Sequence, residues 1–241
     1  MKIKGGPYDD KMWVKTHVKW DFVGRLCASV PSNEEIIQGW LDARKPAVRP
    51  PGGKSITETV EEVINRLPDQ ENENEEIKKK TTLVFEKVEG RLVIRANTIR
   101  AHIKDCVSQV QNQFAGKIRG ERYFTTRVKN GLYVKGNFRD SFGTELVALS
   151  RDGKPINEPD GFIEKPVHVN GPQGPQNALK RFAYVIRPTV EFTVRLLGKS
   201  VSVQDLATVM MYGATHAYGG ERSMQDGQYQ YEIETKEKEL A

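Results

Sequence analysis

Residues 13–26, WVKTHVKWDFVGRL, alternate so that Val14, Thr16, Val18, Trp20 and Phe22 fall on one side of the chain. Successive side chains of a strand point to opposite faces, so this period of two predicts a strand with one buried face. The period then changes. Ser32-Asn33-Glu34-Glu35 has the layout of a capping box, and Ile36, Ile37, Trp40 and Leu41 follow at helical spacing, which predicts a helix. Prolines and glycines in KPAVRPPGGKS (45–55) break the pattern. A second helix is predicted over 56–67, where Val60, Val63, Ile64 and Leu67 form one apolar stripe. PDQENENEEIKKK (68–80) is charged and poor in apolar residues, as a solvated loop would be.

Further on, TTLVFEKVEGRLVIRAN (81–97) predicts a hairpin or kinked strand turning at Glu89-Gly90. TIRAHIKDCVSQVQNQF (98–114) predicts an amphipathic helix, capped by Thr98 or Asn97 and burying Ile99, Ile103, Val107 and Val110. From 115 to 180, turn signals such as RDG and NGPQGPQN predict loops and short strands. YVIRPTVEFTVRLL (184–197) predicts one long strand, with Pro188 marking an edge or a bulge. Ser202 is the expected cap of a helix running to about His216, with Val203, Leu206, Ala207 and Met210 inward. The alternating QYQYEIE (228–234) is the last strand. The ends therefore run β-α … β and β-α-β. That order predicts an α+β fold, a ferredoxin-like (RRM-like) βαββαβ core with large insertions. A single domain over 1–241 is expected, with insertions at about 45–80 and 115–180.

Composition sharpens this picture in two ways. Apolar residues are only 37% and charged residues 29%, which fits long polar excursions from a modest core. The net charge of +5 permits a nucleic-acid partner, provided that the positive charge clusters. It clusters in two stretches. RLVIRANTIRAHIK carries Arg91, Arg95, Arg100, His102 and Lys104 around a helix start, and Arg100 and Lys104 are one turn apart. A helix N-terminus adds partial positive charge, which suits phosphate; an ordinary solvated face has the same spacing. KIRGERYFTTRVKNGLYVKGNFR (117–139) carries Lys117, Arg119, Arg122, Arg127, Lys129, Lys135 and Arg139 against Glu121 alone. Tyr123, Phe124, Tyr133 and Phe138 interleave with them, as in proteins that track a phosphate backbone and stack bases, or as in a core strand.

A third element, GGERSMQDG, places Gly219, Gly220, Arg222, Ser223 and Gly227 in one loop. Glycines allow backbone amides to approach an anion, and an Arg forks onto phosphate. A plain glycine-capped helix-to-strand connection explains the same residues.

Other chemistry is thin. The two cysteines, Cys27 and Cys106, form no metal-binding motif and are expected as buried thiols of a reducing compartment. No secretory leader and no run of about 18 apolar residues is present, so a soluble cytoplasmic protein without membrane contact is expected. No G-x-x-x-x-G-K-[ST] or G-x-G-x-x-G occurs, so no cofactor is expected. His17, His102, His168 and His216 are scattered, and no G-x-S-x-G or H-E-x-x-H motif appears. No catalytic residue, no metal and no enzymatic activity are expected.

Three stretches carry a family resemblance. YGGERSMQDGQYQYEIE (218–234) resembles the G-loop of the RAMP superfamily of CRISPR-associated proteins, RANTIRAHIKD (95–105) resembles that family's helix start, and YVIRPTVEFTVRLL resembles the strand before its last helix. Within the superfamily the chain is similar to the Cas-seven-like backbone subunit. The resemblance implies a non-catalytic RNA-binding subunit of a CRISPR ribonucleoprotein effector complex, an oligomer in antiviral defence that polymerises along guide RNA. Its partners are then single-stranded guide RNA, copies of itself and other effector subunits.

Phosphate contacts are implied for Arg95, Arg100, Lys104, Gly219, Gly220, Arg222, Ser223 and Gly227, and by extension for Arg119, Arg122, Arg127 and Lys129 lining the RNA groove. On GPQGPQNALKR, the resemblance also implies that the hairpin at 160–182 is the family's thumb, which separates guide segments. Where target-cleaving relatives carry an Asp this chain reads CASVPSNEEII, and 32–44 has no histidine, so cleavage is not expected. Two other function classes stand beside this one. One is a RAMP-type endoribonuclease using His17, His102 or His216 as acid or base. The other is a nucleic-acid-independent phage or cellular assembly protein.

Overall fold

The computed structural model describes residues 12–32, 81–113, 124–171, 174–197, 201–222 and 225–235. The helices expected between 34 and 67 and the charged stretch 68–80 lie outside the described residues. The fold is mixed α+β, with mostly antiparallel sheets and few helices. Its elements are β1 (Trp13–Phe22), β2 (Arg25–Cys27), β3 (Val30–Pro31), β4 (Thr81–Val84), β5 (Glu86–Val88), β6 (Arg91–Arg95) and α1 (Ala96–Gln113). Next come α2 (Phe124–Gly131), β7 (Leu132–Lys135), β8 (Phe138–Arg139), β9 (Glu145–Arg151) and β10 (Lys154–Pro155). The chain ends through β11 (Gly161–Gly171), β12 (Gly174–Ile186), β13 (Thr189–Leu197), α3 (Val203–His216) and β14 (Tyr229–Thr235).

The main sheet has the order β14-β1-β13-β9-β6-β5. β1 pairs antiparallel with β13 along its length and with β14 on its other side. β9 meets β13 only at Thr189 and Val190, and β7 pairs with the far end, Thr193 to Leu196. A second sheet, β11-β12-β4-β3 with β2 beside β12, contains a parallel pair, β4 and β12.

The predicted alternation in β1 holds: Thr16, Val18, Trp20 and Phe22 are buried. They pack with Ile99, Ile103 and Val107 of α1 and Leu206, Val209 and Met210 of α3, so both helices cover one face of the sheet. Trp20 stacks on Tyr229 with ring centroids 4.3 Å apart and meets Phe192 edge-on at 4.9 Å. Each such pair adds about 1 kcal/mol beyond area burial. α3 begins with a capping box: Asp205 N donates to Ser202 Oγ at 3.0 Å, and Ser202 N donates to Asp205 Oδ2 at 2.9 Å. Its Gly213 lets α1 pass close, because a Cβ there would lie 2.5 Å from the Tyr229 hydroxyl and 3.2 Å from His102 Nε2. Among the described residues no helix is long and apolar enough to cross a membrane.

Four local expectations are revised. The stretch 184–197 is two strands in different sheets, because Arg187 takes a positive φ of 47° and the chain changes sheets at Pro188. β13 is consequently interior, and the Pro188 carbonyl accepts from Phe22 N at 3.0 Å. α1 starts at Ala96, so Asn97 and Thr98 sit in its first turn, and Thr98 Oγ1 donates to Arg95 O at 2.7 Å. Residues 124–131 of the basic stretch form a helix, anchored by buried Val128. The expected hairpin is present, but its strands β11 and β12 are long, paired from Gly161↔Tyr184 to Gly171↔Gly174, where short strands were expected.

Candidate nucleic-acid interface

α1 places its polar side chains on two flanks. One flank, toward α2 and β7, carries Arg100 and Lys104. The other, toward α3, carries His102 and Asp105.

On the first flank Arg100 Nε donates to the Leu132 carbonyl at 2.8 Å, and its guanidinium lies 4.1 Å from the Tyr133 ring centroid. The charge remains while two faces of the group are held, which pre-organises it for an anion. Lys104 is half-buried one turn further along α1, and Lys129 stands in the last turn of α2. Burial first, and then the charges of Arg100 and Lys129, hold the Lys104 amine below the usual lysine value. These three cations crowd together, an arrangement that an anion relieves. Arg127 lies 3.8 Å from Asp205 at the start of α3, so part of its charge is balanced within the fold.

Arg95 is turned inward. It is 6% exposed, and its Nε donates to Glu86 Oε1 at 2.6 Å across the β5–β6 hairpin. Strand alternation in β6 puts it on the buried side, an outcome that the spacing of cations alone could not reveal. Arg119, Arg122 and Ser223 lie outside the described residues.

The second flank gathers residues that the sequence scatters. His216 Nε2 lies 2.9 Å from both Asp105 Oδ2 and Arg222 Nη1. The hydrogen bond from His216, aided by Arg222, holds the Asp105 carboxyl below its usual range. His216 stacks between neighbours, 6.0 Å from His102 and 5.3 Å from Tyr212. His102 is buried against Tyr229, whose hydroxyl is 3.1 Å from its Nε2. Burial, then His216 and Arg222, push His102 down to about 3, so it is neutral at physiological pH.

The glycine loop is locked onto β2. Gly220 N donates to Cys27 O at 3.1 Å, Gly227 N to Arg25 O at 2.7 Å, and Tyr218 N to Gly227 O at 2.8 Å. A Cβ on Gly220 would land on the Ala28 carbonyl oxygen, and one on Gly227 on that of Tyr218. These glycines serve close backbone packing, and the amides of Gly220 and Gly227 are already engaged. The loop's acids turn inward. Asp226 accepts from Arg25 Nε at 3.1 Å, and Glu221 accepts from Lys165 Nζ at 2.7 Å. Sequence reading missed both; their signal was a pair of acids in a loop taken to be cationic. Arg222 points out, 46% exposed. Cys27, 3.6 Å from Asp226, and Cys106 are buried, and burial pushes both thiols up to about 12.

No protein-family model and no curated protein matches the sequence. Among solved structures, the fold is similar to a chain of the type III-B Cmr-beta bound to cognate target RNA, with 10% identity and a TM-score of 0.45. That overlap covers 92% of this chain, which spans 61% of the neighbour's length. A chain of a type IV-B CRISPR complex is similar at 9% identity and a TM-score of 0.45, covering 95% of this chain and 93% of the other. At that level neither likeness says what this chain binds.

Proposed function

We propose that the chain is a non-catalytic RNA-binding backbone subunit of a CRISPR-type ribonucleoprotein effector complex, and that its copies polymerise along guide RNA. The observation that carries this reading is the α1–α2 flank, where Arg100 is fixed on the Leu132 carbonyl and the Tyr133 ring one turn from Lys104, with Lys129 in the last turn of α2. Such a cluster suits consecutive phosphates of a single strand. The motif order from the helix start to the glycine loop supports the family. The fold adds support, because β14-β1-β13-β9 are antiparallel neighbours with α1 between β1 and β9 and α3 between β13 and β14. That order supports reading the core as a ferredoxin-like βαββαβ arrangement. The hairpin β11–β12 takes the thumb's place in this reading.

The test is the nucleic acid that co-purifies with the full chain. RNase-sensitive strands of stepped length are the expected result, and a nucleic-acid-free protein whose oligomers survive nuclease would favour the assembly-protein reading instead.

One observation favours a second reading. His216 is half-exposed and oriented by Asp105 with Arg222 beside it, the layout of an oriented general base. In that case the chain is a RAMP-type endoribonuclease. Metal-independent cleavage of hairpin RNA that disappears in His216→Ala would establish it.

A further inference from the structure

The loop after α3 returns to α1, and three polar side chains meet there: Asp105 of α1, His216 at the end of α3 and Arg222 of the loop. His216 Nε2 lies 2.9 Å from Asp105 Oδ2 and 2.9 Å from Arg222 Nη1, and Arg222 Nη1 lies 3.5 Å from the same carboxylate oxygen. Among the described residues, the other titratable groups around the His216 ring are Tyr212 and His102, which stack on it, with Cys106 and Tyr229 behind His102. Burial holds His102 neutral and pushes the Cys106 thiol up to about 12, so neither adds a charge at physiological pH.

A ring nitrogen of histidine carries a lone pair or a hydrogen, never both. With a lone pair, Nε2 accepts from Arg222 Nη1, which also donates to Asp105 Oδ2. With a hydrogen, Nε2 donates to Asp105, and the N–H groups of His216 and Arg222 point at each other across 2.9 Å. The two short contacts therefore exclude each other as hydrogen bonds. A proton on His216 fixes the second arrangement and sets two positive charges against one carboxylate. His216 is placed to stay, because it stands in the last turn of α3, where the helix dipole favours a cation. Arg222 stands in a loop with 46% of its side chain exposed, so it is the cation that leaves.

We propose that the Asp105–His216–Arg222 triangle is a proton-operated latch: neutral His216 retains Arg222 against α1, and protonated His216 keeps Asp105 and releases the guanidinium to a phosphate of the bound strand. Release needs no ligand; the phosphate contact rests on the RNA-binding reading above. Acid favours the open state, and by reciprocity a phosphate on Arg222 favours proton uptake at His216.

The experiment follows the full chain at pH 7.5 and pH 5.5, across the range in which histidines take up a proton. Without RNA, the Arg222 Nε–H signal, identified by its loss in Arg222→Ala, should relax as a restrained group at pH 7.5 and as a freely moving one at pH 5.5. In His216→Gln, which cannot titrate, it should behave alike at both. With a ten-residue oligouridine, Arg222→Ala should weaken binding within about twofold at pH 7.5 and roughly fivefold at pH 5.5, where it should also lower the salt slope by about 0.7. In the His216→Gln background the loss should be the same at both pH values. An Arg222 signal that does not respond to pH in wild type overturns the latch, whatever the RNA does. Release without a larger loss at pH 5.5 overturns the hand-over to phosphate. Release in a chain that binds no RNA at either pH overturns the RNA-binding reading and leaves the latch standing.

Discussion

The α1–α2 flank and the glycine loop carry similar sequence signals and are built in opposite ways. The flank gathers Arg100, Lys104 and Lys129 and leaves their charges crowded. The loop spends the amides of Gly220 and Gly227 on β2, buries Glu221 and Asp226 on internal cations, and pairs Arg222 with Asp105 beside His216. A cluster under mutual repulsion gains from an anion. A loop already satisfied internally gains less. Glycine enrichment therefore marks a place where backbones touch, and only the partner of each amide says whether that backbone is the protein's own or a ligand's.

The contrast breaks most visibly in stability. Gly220→Ala and Gly227→Ala each place a methyl on a carbonyl oxygen, and Gly227 also has φ +82°. Either should cost about 3 kcal/mol or more in denaturant unfolding. If both variants unfold like wild type and bind RNA more weakly, the loop is an anion cradle after all.

Next in size is an effect of pH. His102 sits near 3 in the fold, against about 6.5 for an unfolded histidine. Between those values the unfolded chain holds a proton that the fold refuses. Stability is thus complete above pH 6.5 and falls as pH drops, by up to about 1.4 kcal/mol per pH unit from this residue. Above pH 4.5, where Asp105 stays ionised, His102→Gln should flatten the curve relative to wild type.

The binding effects are smaller. Arg100→Ala with Lys104→Ala should weaken single-stranded RNA binding by roughly tenfold and reduce the salt slope by about 1.4. Arg222→Ala should stay within about twofold, since Asp105 already pairs with that guanidinium at 3.5 Å. A larger loss in Arg222→Ala than in the double variant would reverse the ranking of the two regions.

Much of the fold was legible because it rests on local periodicity. The alternation from Val14 to Phe22, the stripe Ile99–Ile103–Val107–Val110 and the Ser202 cap all appear where the residues placed them. What escaped depends on partners distant in sequence. Pro188 marks a change of sheet, which no local pattern distinguishes from an edge. Arg95 was buried by Glu86 across a hairpin, and residues 124–131 coil because Val128 packs inward. His102 and His216 meet only because Gly213 lets two helices close on each other. The edge-on contact of Trp13 with Tyr133 was equally hidden, since the two are joined by β13, which lies between them in the sheet and after both in the chain.

The change of sheet at Arg187-Pro188 also has a mechanical meaning. β12 passes into β13 there, and Arg187 N donates to Gly24 O at 2.8 Å beside the start of β2. Next to this point β12 is tied to β2 over Tyr184–Ile186 and to β4 over Lys180–Phe182. Among the described residues, only Gly174 to Leu179 pair with β11 alone, roughly 20 Å of strand. The root of the arm is therefore clamped by two neighbours in one sheet and by the hand-over to the other, so its direction is fixed by the body of the fold and not by its own turn.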